Sequence, residues 1–159
     1  KDRALLRARV AAGLATLKAQ PQVDPTKIAA IGYCFGGTAV LELARSGAEV
    51  AGVVSFHGGL DSPTPQDAKK IRAKVLALHG ADDPYAPADQ VAAFEQEMRE
   101  AGVDWQLLIY GGAVHGFSNP ANGNDNSKGV AYNAKADRRS WLAMQQFFNE
   151  LFHPAQQSP

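Results

Sequence analysis

Four short apolar runs that do not alternate in polarity constrain this chain more than any other feature. They are residues 27–33 (KIAAIGY), 50–56 (VAGVVSF), 74–79 (KVLALH) and 105–110 (WQLLIY). A strand with one wet face alternates apolar and polar residues, whereas a strand buried on both faces is apolar throughout. Continuous runs therefore need cover on both sides, and the segments between them can supply it. Residues 2–20 place Leu5, Leu6, Val10, Leu14 and Leu17 at three- and four-residue intervals among Arg and Lys, the pattern of a helix with one buried face. Pro21 and Pro25 mark its end. Further helices are read at 35–46, stopped by Gly47, at about 88–101 and at 135–152. Strands alternating with helices predict an α/β fold, with a parallel sheet of about four strands between helical layers in an α/β/α arrangement. The stretches 58–71, rich in Pro, Asp and Lys, and 119–128, rich in Asn and Gly, read as surface loops. With no internal repeat, residues 1–159 read as a single domain.

The first run leads into Gly32, Tyr33, Cys34, Phe35, Gly36 and Gly37, a strand-to-helix turn of the nucleophile-elbow type with cysteine where serine is usual. A side chain at the tip of so tight a turn sits on strained backbone, and the positions two before and two after it must be small. Gly32 and Gly36 meet that need. The turn places Cys34 at a helix N-terminus, where N–H groups and the helix dipole favour the attacking thiolate, and it aims the Phe35 N–H at a developing oxyanion. A lone cysteine is most often a small buried hydrophobe. Cys34 is set apart by the residues at the ends of the later strands.

The third run continues into His79, Gly80, Ala81, Asp82, Asp83, Pro84, Tyr85, Ala86 and Pro87, an acidic loop at the carboxyl edge of the sheet, where α/β folds place their sites. The G-x-x-D-x-x-x-P spacing of Gly80, Asp83 and Pro87 selects Asp83 as the acid and leaves Asp82 as a solvated turn residue. After the fourth run, His115 lies between Val114 and Gly116, where a general base belongs. Nucleophile, acid and base thus arrive in the chain order of α/β-hydrolases. His57, after the second run, is read as substrate-lining or structural, and His79 as core or support for the site. Tyr33, Tyr85 and Phe117 are aromatic neighbours that serve as substrate wall or packing.

Lys plus Arg and Asp plus Glu both number 16, so no basic field exists to hold nucleic acid. No apolar run approaches the roughly 20 residues that cross a bilayer, and the charged N-terminal segment lacks a signal-peptide core; a cytoplasmic location is the expectation. The single cysteine rules out an internal disulfide and a resolving thiol for redox chemistry. No His, Cys and carboxylate cluster shows ligand spacing, so neither metal nor organic cofactor is expected. Asp125 alone is too little for a calcium cage.

On the GYCFGG turn, the HGADDPYAP loop, the VHGF loop followed by NP, and the segment 130–141 (VAYNAKADRRSW), the chain resembles the dienelactone hydrolase family over nearly its whole length. The resemblance implies hydrolysis of small carboxylic esters or lactones through a thioester acyl-enzyme on Cys34. In the dienelactone enzyme an arginine four residues after the catalytic histidine helps hold the substrate carboxylate. Asn119 stands at that offset here, and a neutral amide cannot offer the charged fork, so Asn119 is expected to touch an unspecialised ester or lactone. A full member has several strands before the elbow helix, one of whose loops supplies a second oxyanion N–H. The expectation is therefore a fragment of a longer protein, or a chain that pairs with a second copy across the exposed edge of its first strand. A non-catalytic binding or assembly role, and thioesterase or acyl transferase chemistry, are the alternatives.

Overall fold

A computed structural model describes residues 2–153. Its elements are α1 (Arg3–Lys18), β1 (Ala29–Tyr33), α2 (Phe35–Arg45), β2 (Gly52–Phe56), β3 (Lys74–Gly80), α3 (Ala88–Ala101), β4 (Trp105–Tyr110) and α4 (Ala134–Phe152). The strands form one parallel sheet in the order β1-β2-β3-β4. All four carboxyl ends therefore lie on one edge, and the loops that leave them converge there.

Alternate side chains of the central strands feed two cores. Val53, Val75 and Ala77 pack with α2, with Phe94 and Met98 of α3, and with Val10 and Leu14 of α1. Val54, Phe56, Leu76 and Leu78 pack with Met144 and Phe147 of α4. Helices on both faces give the three-layer arrangement that the apolar runs predict, but burial is not uniform. β2 is buried throughout and β3 nearly so, whereas Ile31 and Tyr33 of β1 are each 44% exposed. Among the described residues β1 pairs on one side only, and Ile31 and Tyr33, in register with Val54 and Phe56, lie at the margin of the face that α4 alone covers. The expected apolar flank on the first strand is present.

Helix α1 has the predicted inward face, Leu6, Val10 and Leu14 being half-buried, but no fully buried residue. It rests on α2, where Val10 and Leu14 pack against the core and ion pairs add to the contact. The Glu42 carboxylate of α2, fully buried, accepts from Arg7 Nε at 2.8 Å and Arg45 Nη1 at 3.0 Å. Arg45 in turn reaches Glu97 of α3 at 2.7 Å. Buried charges persist only when paired and hydrogen-bonded, so this network fixes α1, α2 and α3 to one another.

The turn between β1 and α2 shows which glycines are obligatory. A Cβ on Gly32 would overlap the Gly36 carbonyl, and one on Gly37 would lie 2.6 Å from Ser55 Oγ and 2.9 Å from Gly58 Cα. Gly36, which the elbow spacing also marks as necessarily small, has nothing within 4 Å of such a Cβ. The tight contact runs from Gly32 to the backbone of Gly36, and the second small residue that packing requires is Gly37.

Two sets of substitutions test this packing by chemical denaturation. Gly32→Ala should cost about 1–3 kcal/mol or more through overpacking, while Gly36→Ala should be neutral or stabilise by up to about 1 kcal/mol, since alanine is the better helix former. Arg45→Ala, which removes the cation paired with buried Glu97 and one of the two that hydrogen-bond Glu42, should cost about 3–5 kcal/mol.

Candidate active site

Four loops bring the site together. Cys34 follows β1, His57 follows β2, Asp83 lies beyond β3 and His115 beyond β4. The last two loops approach closely because Gly80 lacks a side chain: a Cβ there would sit 2.5 Å from the Ala113 carbonyl oxygen. The Asp82 N–H donates to that same oxygen at 3.0 Å. Asp82 itself is exposed and Asp83 is buried.

Asp83 Oδ2 accepts from His115 Nδ1 at 2.9 Å, and Oδ1 accepts from the Tyr85 N–H at 2.8 Å. Burial pushes the Asp83 carboxyl up, but the hydrogen bonds from His115 and Tyr85 outweigh it and hold its pKa below the ordinary value. The carboxylate therefore orients the imidazole with the proton on Nδ1 and leaves Nε2 as the ring's acceptor. His115 is anchored by its own backbone, its N–H donating to Gly129 and its carbonyl accepting from Ala131, both at 3.2 Å.

Cys34 has φ 52° and ψ −119°, a left-handed backbone that a non-glycine residue adopts at some cost and that clusters at functional sites. Its Sγ lies 3.4 Å from His57 Nδ1. Nδ1 also accepts the Cys34 N–H at 3.2 Å, so the ring proton sits on Nε2, which donates to Ser118 Oγ at 2.8 Å. His57 too has a positive φ, 39°. Burial, and then the neighbouring His115, push its pKa down to about 4, so it is neutral at pH 7. Among the described residues no hydrogen bond joins Sγ to His115, although a ring nitrogen of each histidine and Sγ all lie within 4.8 Å of one another. The Cys34 thiol is pushed up by burial and then by the Asp83 charge. The resting group is therefore a thiol, where the position at the start of α2 led to the expectation of a thiolate.

Cys34, Phe35, Tyr85 and His115 line a cavity of about 510 Å³ that Arg3 and Leu6 of α1 close on one side. Of the five residues read as substrate-contacting, Tyr85 is the one on this wall, its ring edge-on to His115 at 5.1 Å. The other four are placed elsewhere. Tyr33 stacks on Phe56 at 4.5 Å, on the α4 face. His57 is 2% exposed and lies beneath Cys34, and Phe117 is fully buried against the His57 ring at 4.9 Å. Asn119 caps a surface turn by accepting from the Ala121 N–H. His79 is buried at the end of β3, its pKa pushed down by burial. Sequence reasoning misses Arg3, Leu6 and Ser118. The two α1 residues lie far from the turn in the chain, and nothing local marks Ser118 as the partner of His57.

A parallel sheet with helices on both faces, a strained strand-to-helix turn at its carboxyl edge and the site loops beside it make an α/β-hydrolase fold. The chain belongs to the dienelactone hydrolase family, whose profile matches residues 1–152. It is 35% identical over 152 residues to an uncharacterized protein of Caenorhabditis elegans, covering 92% of this chain and 94% of that one. Two solved structures are each 48% identical: m3DLH, with a TM-score of 0.89 over 95% of this chain, and a dienelactone hydrolase-like promiscuous phosphotriesterase from metagenomic libraries, with a TM-score of 0.86 over 94%. The chain spans 63% of each of those two chains. No helix among the described residues is long and apolar enough to cross a membrane.

The buried neutral His57 should leave a signature in stability. Its folded pKa of about 4 lies below the usual 6.5, so between those values the unfolded chain binds the extra proton. Its contribution is fully present above pH 6.5 and is lost as pH falls towards 4, by roughly 3 kcal/mol at most. Urea titrations across this window should show the loss in the parent protein and a much shallower one in His57→Gln.

Proposed function

We propose that this chain hydrolyses small carboxylic esters or lactones, with Cys34 as nucleophile, His115 as general base and Asp83 as the residue that orients and charges the imidazole. The observation that carries the reading is the Asp83–His115 pair, 2.9 Å apart, set beside Cys34 on one cavity. The thiol turns from His57 towards His115, a rearrangement consistent with catalytic contacts that tighten only when substrate binds. His115 Nε2 takes the thiol proton as Sγ attacks the carbonyl carbon, and the Phe35 N–H, at the start of α2, meets the oxyanion. The alcohol leaves with the proton from His115. Water then attacks the thioester with His115 again as base, returning the thiol and releasing the acid. Asp83 holds the tautomer and stabilises the imidazolium without itself being protonated.

The cavity wall favours an uncharged substrate. Among the described residues the one Lys or Arg on it is Arg3, which is committed to Asp61 at 2.5 Å. A phosphotriester is a second neutral electrophile that a cysteine thiolate can attack, and the likeness to a promiscuous phosphotriesterase brings it into the substrate screen.

Initial rates on an activated aryl acetate test the assignment. Cys34→Ala and His115→Ala should lose about 10³-fold or more in kcat/KM and Asp83→Asn about 10³–10⁴-fold, while Asp82→Asn stays within about 3-fold, as expected for a solvated surface change. Undiminished turnover by Cys34→Ala would end the proposal.

A further inference from the structure

We propose that Cys34, His57 and His115 form a binding site for a thiophilic divalent cation, zinc above all. The inference stands on donor geometry and does not rest on the hydrolase reading. The loops after β1, β2 and β4 each contribute one donor, and the three donor atoms all lie within 4.8 Å of one another. Tetrahedral zinc, with bonds of about 2.3 Å to sulfur and about 2.0–2.1 Å to nitrogen, holds adjacent ligand atoms roughly 3.4–3.6 Å apart. Cys34 Sγ and His57 Nδ1 are already 3.4 Å apart, so ion binding needs only a modest closure of the His115 ring.

Both imidazoles carry the outer contacts of metal ligands. His115 donates Nδ1 to the Asp83 carboxylate and His57 donates Nε2 to Ser118 Oγ, which leaves Nε2 of the first for an ion; the second offers Nδ1 once the Cys34 N–H, which also donates to the Phe56 carbonyl at 3.0 Å, gives up its contact there. A metal-bound imidazole must be neutral. One thiolate, the Asp83 carboxylate and a dication sum to zero charge. As the Sγ–metal bond forms, the thiol proton leaves to solvent. The fourth position of the ion faces the cavity, where water completes the tetrahedron. Thiolate with imidazole selects zinc or cadmium over magnesium and calcium, which take oxygen donors.

Cadmium alone is the probe, because its bond to thiolate absorbs in the ultraviolet irrespective of enzymatic activity. The parent protein should bind one cadmium ion per chain with a charge-transfer band that zinc displaces. Cys34→Ser should lose the band. His57→Gln and Ser118→Ala, checked for folding by circular dichroism, should each raise the dissociation constant about 10-fold or more. A band of unchanged affinity in both variants would mean that the thiolate alone holds the ion, and absence of a one-to-one band in the folded parent would equally overturn the site. Failure of ester turnover by the metal-free protein would count against the hydrolase reading only.

Discussion

A side chain on Gly32 would occupy the space of the Gly36 carbonyl, and the rest of the site depends on that space being clear. It allows α2 to begin one residue after β1 ends, which puts Cys34 on a left-handed backbone at the carboxyl edge of the sheet. The same economy recurs at Gly37 against Ser55 and Gly58, and at Gly80 against Ala113. Each missing Cβ lets one of the strand-end loops approach its neighbour, so that residues distant in the chain share one cavity. The buried Glu42–Arg45–Glu97 network then secures the helices behind that edge, and through Arg7 it brings α1 over the cavity mouth.

The two histidines around Cys34 differ in their electrostatic surroundings. His115 is paired with a buried carboxylate, which in the proposed reaction favours its charged form during proton transfer. His57, desolvated and hydrogen-bonded to a neutral hydroxyl, stays uncharged and accepts from the cysteine backbone. The thiol rests against the buried neutral histidine and lies near the one paired with Asp83. With burial and Asp83 both raising the thiol pKa, the proposed nucleophile stays protonated until His115 draws the proton away.

Much of this is legible in the sequence. Continuous apolar runs point to the four parallel strands, because central strands with helices on both faces must be apolar throughout. The turn glycines and the strand-end positions of Asp83 and His115 mark the edge that carries the site. The rest depends on contacts across the fold. His57 follows β2 in a segment with no motif of its own, and only parallel pairing of β1 with β2 places it under Cys34. Asn119 draws attention by its offset from His115, but the turn at 120–122 carries it away from the cavity. The apolar spacing of α1 suggests its inward face, which Val10 and Leu14 supply, but not the ion pairs from Arg3 and Arg7 that join it to α2. The raised thiol is invisible in the sequence because burial acts through atoms from several loops, while the helix dipole can be read from a single turn.

The most direct test of the account is the mass of the protein during the proposed reaction. Acid-quenched samples taken within the first turnovers of an activated aryl acetate should carry one acetyl group per chain, mapped to the peptide containing Cys34, and an initial burst of aryl alcohol should match it in amount. Steady turnover with no acetyl group on Cys34, or with the group on another residue, would contradict the assignment of Cys34 as the nucleophile.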